Sequence, residues 1–352
     1  MSLDDNKLNA FVDKAVTDLA AGYGGVMVSL GRKLGLYEAM AGAGPMSSRE
    51  IADRAGCAER YVREWLNSQA AGGYLVYHPS SQTYELPPEH AVVLADDTSP
   101  VYIPPAWDVP ASMWFDEDQA IRAFRTGEGV PWGNHDARLH CGSAAFFRNA
   151  YRGELVANWL PALDGVEDKL KAGGRVADIG CGHGYSSIIM AEAFPKSHFS
   201  GFDTHEASIR TARENAREAG VEDRVSFELA DAASVPEAGF DLICFFDCLH
   251  DMGDPVTAAK RARETLAKDG TVMLVEPYAQ DRVEDNLTPV GRLYYAASTT
   301  LCCAHALSED GGWALGAQAG EERLADVFAK AGFSHFRRAT ETPFNLILEA
   351  RP

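Results

Sequence analysis

An α/β domain on a mostly parallel sheet, preceded by a mostly helical domain, is the architecture this sequence predicts. Three observations predict it. From Gly174 onward, short β-rich runs alternate with helical stretches, the pattern of βαβ units feeding a parallel sheet. Before residue 98, apolar residues recur at helical spacing, which gives amphipathic helices. And 352 residues are too many for one ordinary core, so two domains are the prior expectation.

The N-terminal elements follow in order. Leu8, Phe11, Val12, Ala15, Val16 and Leu19 make one apolar helix face. Ser47 and Glu50 fit a capping box that opens the helix REIADRAG. ERYVREWLNSQAAGG is a second short helix, with Val62, Trp65 and Leu66 inward and Gly72–Gly73 as its stop. LVYHPSSQTYEL reads as two short strands around a Pro-Ser-Ser turn. Helix, turn, helix and hairpin is the winged-helix order. SPVYIPPAWDVPASMWF, rich in Pro and aromatics, reads as a linker rather than one regular element, and HCGSAAFFRNAYRGELVANWLPAL reads as helix.

Beyond Gly174, the strand-like runs are RVADIG, HFSGFD, VSFELAD, DLICFFD and TVMLVEP. The helices between them are SSIIMAEAF, EASIRTARENAREAG and PVTAAKRARETLAKDG. SHFRRAT and FNLILEA lie close together at the end, so one of them should run antiparallel.

Composition narrows the function. Hydrophobic residues make up 46% and charged residues 24%, as in ordinary globular proteins. No apolar run is long enough to cross a membrane. MSLDDNKLNA lacks the basic-then-apolar pattern of a signal peptide, so a cytoplasmic location is expected. The seven cysteines include no C-x-x-C, which speaks against a metal knuckle and for free thiols. His135, His140 and Cys141 are irregularly spaced with no second cluster, so no metal is expected. The net charge is −19. Residues 1–97 hold eight Lys/Arg against thirteen Asp/Glu, a net of −5, and Arg60 and Arg63 in the would-be recognition helix are offset by Glu59 and Glu64. Phosphate contacts need a clustered positive excess, so neither nucleic acid nor membrane is an expected partner. Dimerisation or substrate gating is the expected role of this domain.

VADIGCGHGYSS carries a strand, then Gly180, Gly182 and Gly184, then a helix start. Glycines there let the backbone approach a ligand at the strand's carboxyl end. The spacing is G-x-G-x-G, not the G-x-G-x-x-G of a dinucleotide site. Asp178, two residues earlier, would repel a pyrophosphate but suits a ligand with a cationic amino group. Asp203 ends the next strand about 20 residues after the last glycine, where a carboxylate can accept both ribose hydroxyls. Asp231 ends the third strand, placed to accept from an adenine amine, with Ala232 offering its N–H. Together these point to an amino-acid-bearing nucleoside rather than to NAD.

This constellation, over residues 170–352, resembles the class I S-adenosylmethionine-dependent methyltransferases. The resemblance implies a Rossmann-like fold with a seven-stranded, mostly parallel sheet and S-adenosyl-L-methionine as cofactor. It implies cofactor roles for Asp178, Gly180, Gly182, Gly184, Asp203, Asp231, Ala232 and Phe246. The whole chain is similar to small-molecule O-methyltransferases with an N-terminal winged-helix dimerisation domain, and to actinobacterial winged-helix methyltransferases of unassigned substrate. Leu249-His250-Asp251-Met252 matches the stretch that carries the base of the former, with Met in place of Trp. By that resemblance His250 is the base, and Glu276 and Glu322 are the glutamates flanking it. The domains expected are a winged helix over 1–98, an aromatic linker and substrate lid over 99–165, and a cofactor-binding domain over 166–352.

A neutral imidazole suits a hydroxyl acceptor that must lose its proton; the alternative for His250 is a scaffold residue that holds Asp251. Trp107, Trp114, Phe115, Trp132, Phe146, Phe147 and Tyr151, with Tyr294 and Tyr295 from NLTPVGRLYYAASTTLCCAHAL, are candidates for the acceptor side. The expected activity is methyl transfer to a small apolar or aromatic acceptor by a homodimer. Nitrogen, carbon or sulfur acceptors, and a non-enzymatic ligand-sensing regulator, remain alternatives.

Overall fold

The computed structural model describes residues 3–236 and 238–352. It divides into two compact units. One comprises the chain up to Val109 with Cys141–Asn149, and the other Pro110–His140 with Ala150–Pro352.

The first unit opens with α1 (Asp5–Lys33), whose N-cap Asp4 accepts from the amides of Asn6 and Lys7. It continues through α2 (Leu36–Met40), α3 (Ser48–Ala55), α4 (Glu59–Ala71), the antiparallel hairpin β1 (Val76–His78) and β2 (Thr83–Glu85), and α5 (Pro88–Leu94). The capping box forms: Ser47 accepts from the Glu50 amide, and the Glu50 carboxylate accepts from the Ser47 amide at 2.8 Å. Tyr37, Met40, Ile51 and Leu66 are fully buried together. A Cβ on Gly31 would meet Tyr37 at 2.5 Å and Trp65 at 2.7 Å, so only glycine lets α1 approach this core. The apolar face of α1 does not join it. Phe11 is 69% exposed, Val16 59% and Leu19 63%. On α4, Arg63 pairs with Glu59 and Arg60 with Glu64, each at 2.6 Å.

The stretch read as a linker holds more helix than its prolines suggested. It carries α6 (Asp108–Phe115) and α7 (Glu117–Thr126), then α8 (Ala137–Ala150) running on into a π-helical segment, Tyr151–Trp159. Pro110 does not break α6 because it falls in the first turn, where no intrahelical N–H is required.

In the second unit α9 (Val166–Ala172) leads into a seven-stranded sheet. Its strands are β3 (Arg175–Ile179), β4 (His198–Asp203), β5 (Val225–Leu229), β6 (Phe240–Phe246), β7 (Leu266–Pro277), β8 (His335–Glu341) and β9 (Asn345–Arg351). The order is β5-β4-β3-β6-β7-β9-β8, and β9 alone runs opposite to the other six strands. The helices are α10 (Tyr185–Ala193), α11 (Glu206–Glu218), α12 (Pro255–Thr265), α13 (Pro289–Thr300), α14 (Cys302–Ala306) and α15 (Glu321–Lys330). One boundary differs from expectation: α12 stops at Thr265 and β7 begins at Leu266, before the run TVMLVEP. Pairing with β6 captures Leu266 opposite Phe240, then skips to Thr271 opposite Leu242, a bulge no local pattern announces. Phe202, Phe240, Phe245, Leu274, Phe328 and Leu346 are among the buried core. The chain leaves β3 toward β4 on one side and reaches β6 on the other, so the carboxyl ends of β3, β4 and β6 border the crevice where α/β sheets bind ligands.

Candidate active site

At the end of β3, Asp178 is completely buried. Its Oδ2 accepts from the Ser186 hydroxyl at 2.5 Å and the Ser187 hydroxyl at 2.7 Å, both on the first turn of α10. Its Oδ1 has no hydrogen-bond partner among the described residues. Burial pushes the carboxyl up to about 6, and the Asp203 carboxylate adds to the rise against the two serine hydrogen bonds. The three glycines of the loop all have positive φ. They differ in what surrounds them. A Cβ on Gly180 would meet Cys248, and one on Gly184 would lie 2.4 Å from Phe227, whereas one on Gly182 would meet nothing within 4 Å. The outer glycines are therefore fixed by packing, and the middle one borders open space.

Asp203, at the end of β4, holds this loop from the next strand. Its Oδ2 accepts from the Gly182 amide at 2.9 Å and its Oδ1 from the His205 amide at 2.8 Å. Each carboxylate oxygen retains a lone pair for a further donor. Asp231 caps the turn Ala232–Ser234, accepting from Ala233 at 2.7 Å, and is exposed. Phe246 is buried with its ring 5.1 Å from Tyr151.

His250 lies in the short turn Leu249–Asp251 after β6 and is buried. Its Nδ1 faces Glu276 Oε2 at 2.5 Å, while Glu276 Oε1 accepts from the Leu249 amide at 3.1 Å. The Cys302 side chain of α14 lies near enough to act electrostatically on the same ring. Burial alone would lower the imidazole, but the Glu276 carboxylate and Cys302 outweigh it and hold it well above its ordinary 6.5. Burial lifts Asp251 to about 7, against the pull of His250.

The structure brings His250 and Glu276 together and leaves Glu322 elsewhere. Glu322 is exposed on the first turn of α15, its amide donating to Asp281 Oδ1 at 2.8 Å. A different glutamate, Glu309, accepts from the Gly253 amide just beyond the turn, Oε2 at 2.8 Å. Glu309 lies in an irregular segment with no periodic pattern to mark it. Ser186 and Ser187 were visible as the helix start, yet nothing local assigned them to Asp178. Asp247, the last residue of the run DLICFFD, has a left-handed φ of +52° and accepts from Asn345 Nδ2 at 2.8 Å, features that no local pattern announces.

The histidines considered for a metal do other things. His135 Nδ1 faces Asp116 at 3.2 Å, and His140 stacks on His205 at 4.4 Å, with burial first and then His205 lowering it to about 4. Among the described residues no group of three His, Cys, Asp or Glu side chains is arranged to hold a metal ion, and no helix is long and apolar enough to cross a membrane.

Comparison with known proteins gives a family match for two parts of the chain. Residues 170–332 match the Methyltransferase domain family and residues 22–96 the Rv2258c-like winged HTH domain. A 107-residue stretch is 37% identical to 27-O-demethylrifamycin SV methyltransferase of Amycolatopsis mediterranei (strain S699), covering 30% of this chain and 39% of that protein. The chain thus spans about two fifths of that relative's length. Among solved structures, human N-acetylserotonin methyltransferase in complex with SAM superposes with TM-score 0.72 at 16% identity, covering 100% of this chain and 99% of that one. The mitomycin 7-O-methyltransferase MmcR superposes with TM-score 0.68 at 18% identity, covering 99% and 100%. At these identities the superpositions speak for the fold. The buried, half-satisfied Asp178 and the open space over Gly182 fit a ligand that brings a cationic amine to the glycine loop. The chain carries a methyltransferase domain over residues 170–332, behind an Rv2258c-like winged HTH domain over residues 22–96.

Proposed function

We propose that this chain transfers the methyl group of S-adenosylmethionine to a hydroxyl oxygen of a small apolar or aromatic acceptor, with His250 as general base. The observation that carries the proposal is the His250–Glu276 pair at 2.5 Å, buried beside the carboxyl ends of β3 and β6. Bound S-adenosylmethionine supplies a methyl group on a sulfonium carbon. Asp178 would hold its amino group, Gly182 its close approach to the loop, Asp203 the ribose, and Asp231 with Ala232 the adenine.

The chain's part in the reaction is alignment and proton transfer. Glu276 fixes the imidazole orientation through Nδ1 and stabilises the imidazolium once the acceptor's proton has moved to the ring. The same carboxylate holds His250 protonated at pH values where a free histidine is neutral. The base form therefore fills only as pH rises above the ordinary range, and activity on a hydroxyl acceptor should climb there. Alignment of the acceptor, with water excluded by the aromatic side chains Tyr151 and Tyr294, contributes the remainder.

The exposed apolar face of α1 is the surface we assign to a homodimer, since an apolar helix stripe of this kind needs a cover. The paired arginines of α4 favour that use of the first unit over phosphate binding. All seven cysteines are free, in keeping with the reducing cytoplasm.

The test is a screen of acceptors for S-adenosylhomocysteine release, followed by His250→Gln on the acceptor found. The variant should lose roughly 10²- to 10⁴-fold in kcat on a weakly acidic phenol and recover on one already ionised at the assay pH. Parallel losses across acceptor acidity would leave His250 as scaffold.

A further inference from the structure

Asp247 takes no part in the mechanism above, yet its situation is unusual in three ways. Its backbone is left-handed, φ +52°, a conformation that non-glycine residues keep only where the surroundings impose it. Its Oδ1 is tied by Asn345 Nδ2 at 2.8 Å, and Asn345 is buried at the start of β9. Its Oδ2 is shielded from solvent and has no hydrogen-bond partner among the described residues. A carboxyl oxygen in that position has given up water and gained nothing in exchange.

The groups around it decide what would complete it. Glu276 from β7 and Asp251 from the following turn are acids, and His250, the one base among them, is already paired with Glu276. Tyr151 of the π-helical segment and Tyr294 of α13 both feel the Asp247 charge, and the Tyr294 hydroxyl donates to the Phe344 carbonyl at 2.7 Å. Burial raises Asp247 well above the usual carboxyl range and Glu276 adds to it; His250 and the Asn345 hydrogen bond oppose without prevailing. Acids outnumber bases, and a cation is the complementary ligand.

We propose that Asp247 is an acceptor-recognition residue whose Oδ2 receives a protonated amine borne by the acceptor near the hydroxyl that His250 deprotonates. The proposal rests on the methyltransferase reading and adds the substrate class, an amine-bearing phenol or alcohol. The exchange balances as a proton transfer: the Asp247 carboxylic acid gives its proton to the buffer, and the carboxylate so formed pairs with the ammonium, which keeps its own protons.

The experiment titrates 2-phenylethylammonium and its neutral isostere 2-phenylethanol into the protein by calorimetry, with and without S-adenosylhomocysteine. The ammonium should bind at least tenfold more tightly than the alcohol and release a proton, seen as heats that differ between buffers of different ionisation enthalpy. Asp247→Asn, which tolerates the left-handed backbone, should weaken the ammonium about ten- to hundredfold, abolish the proton release and leave S-adenosylhomocysteine affinity unchanged. Equal binding of ammonium and alcohol overturns the proposal. So does a loss in the variant that falls on S-adenosylhomocysteine, which would assign the acid to the cofactor. Should the variant fail to fold, the proton release of the unaltered chain decides alone. Failure of S-adenosylhomocysteine to bind the unaltered chain overturns instead the methyltransferase reading, whatever the amine does.

Discussion

Replacing Glu276 by Gln changes one atom and tests the base assignment through its partner. Glu276 accepts two hydrogen bonds, from the Leu249 amide at 3.1 Å and at His250 Nδ1 at 2.5 Å. A glutamine offers one acceptor oxygen and one NH₂. Leu249 can only donate, so the amide oxygen must stay with it and the NH₂ must turn to the ring. Nδ1 then becomes an acceptor, and the imidazole proton moves to Nε2, the nitrogen that has to receive the acceptor's proton. The base is disabled without being removed. The expected loss in kcat is about 10²- to 10⁴-fold, the range for a positioned base or one locked in the wrong tautomer. Loss of the carboxylate also removes what holds His250 above 6.5, so its pKa should fall. Folding stability responds with a definite sign. A raised histidine pKa contributes stability that is fully present below about 6.5 and is lost as pH rises through the folded value. Wild type should therefore exceed the variant most at acid pH, and the gap should narrow toward alkaline pH. The assay is single-turnover S-adenosylhomocysteine formation against pH, with a weakly acidic and a strongly acidic phenol, beside melting curves at the same pH values. A variant that keeps wild-type kcat on the weakly acidic phenol, or loses the same factor on both, would refute the reasoning.

Two further outcomes follow from the same geometry. Asp178, lifted to about 6 from 3.8, makes the empty chain about 3 kcal/mol less stable above pH 6 than below pH 4 through this group alone. A cofactor ammonium that pairs with it should bind more tightly as pH rises from 5 to 7, and Asp178→Asn should flatten that dependence; a wild-type affinity indifferent to pH in calorimetry would remove Asp178 from the cofactor. The exposed face of α1 should make the protein a dimer of twice 38.1 kDa, and serine at Phe11, Val16 and Leu19 together should release monomers. Light scattering that finds 38.1 kDa particles for the unaltered chain at micromolar concentration would refute that.

Local chemistry determined much of this protein before any packing was known. The alternation of strands and helices, the positive-φ glycines 180, 182 and 184, the acids at the ends of β3, β4 and β5, and the Ser47–Glu50 capping box are set by residues within one turn or one strand of each other. Periodicity and side-chain type suffice for such features. His250 and Glu276 are singled out by the resemblance of the Leu249–Met252 stretch and the strand that follows it, not by any local pattern. What depends on contact between distant segments could not be read in the same way. The bulge that starts β7 at Leu266 needs Phe240 opposite it. The exposed place of Glu322, its amide on Asp281, needs the path of the chain between α14 and α15. The left-handed Asp247 with one oxygen tied by Asn345 and the other unpartnered exists only once β9 lies against β7. Nor could the sequence tell that the apolar stripe of α1 stays outside the core of its own unit. A hydrophobic period says that a face must be covered, and only the tertiary arrangement says by what, because burial free energy is proportional to area and indifferent to which surface supplies it.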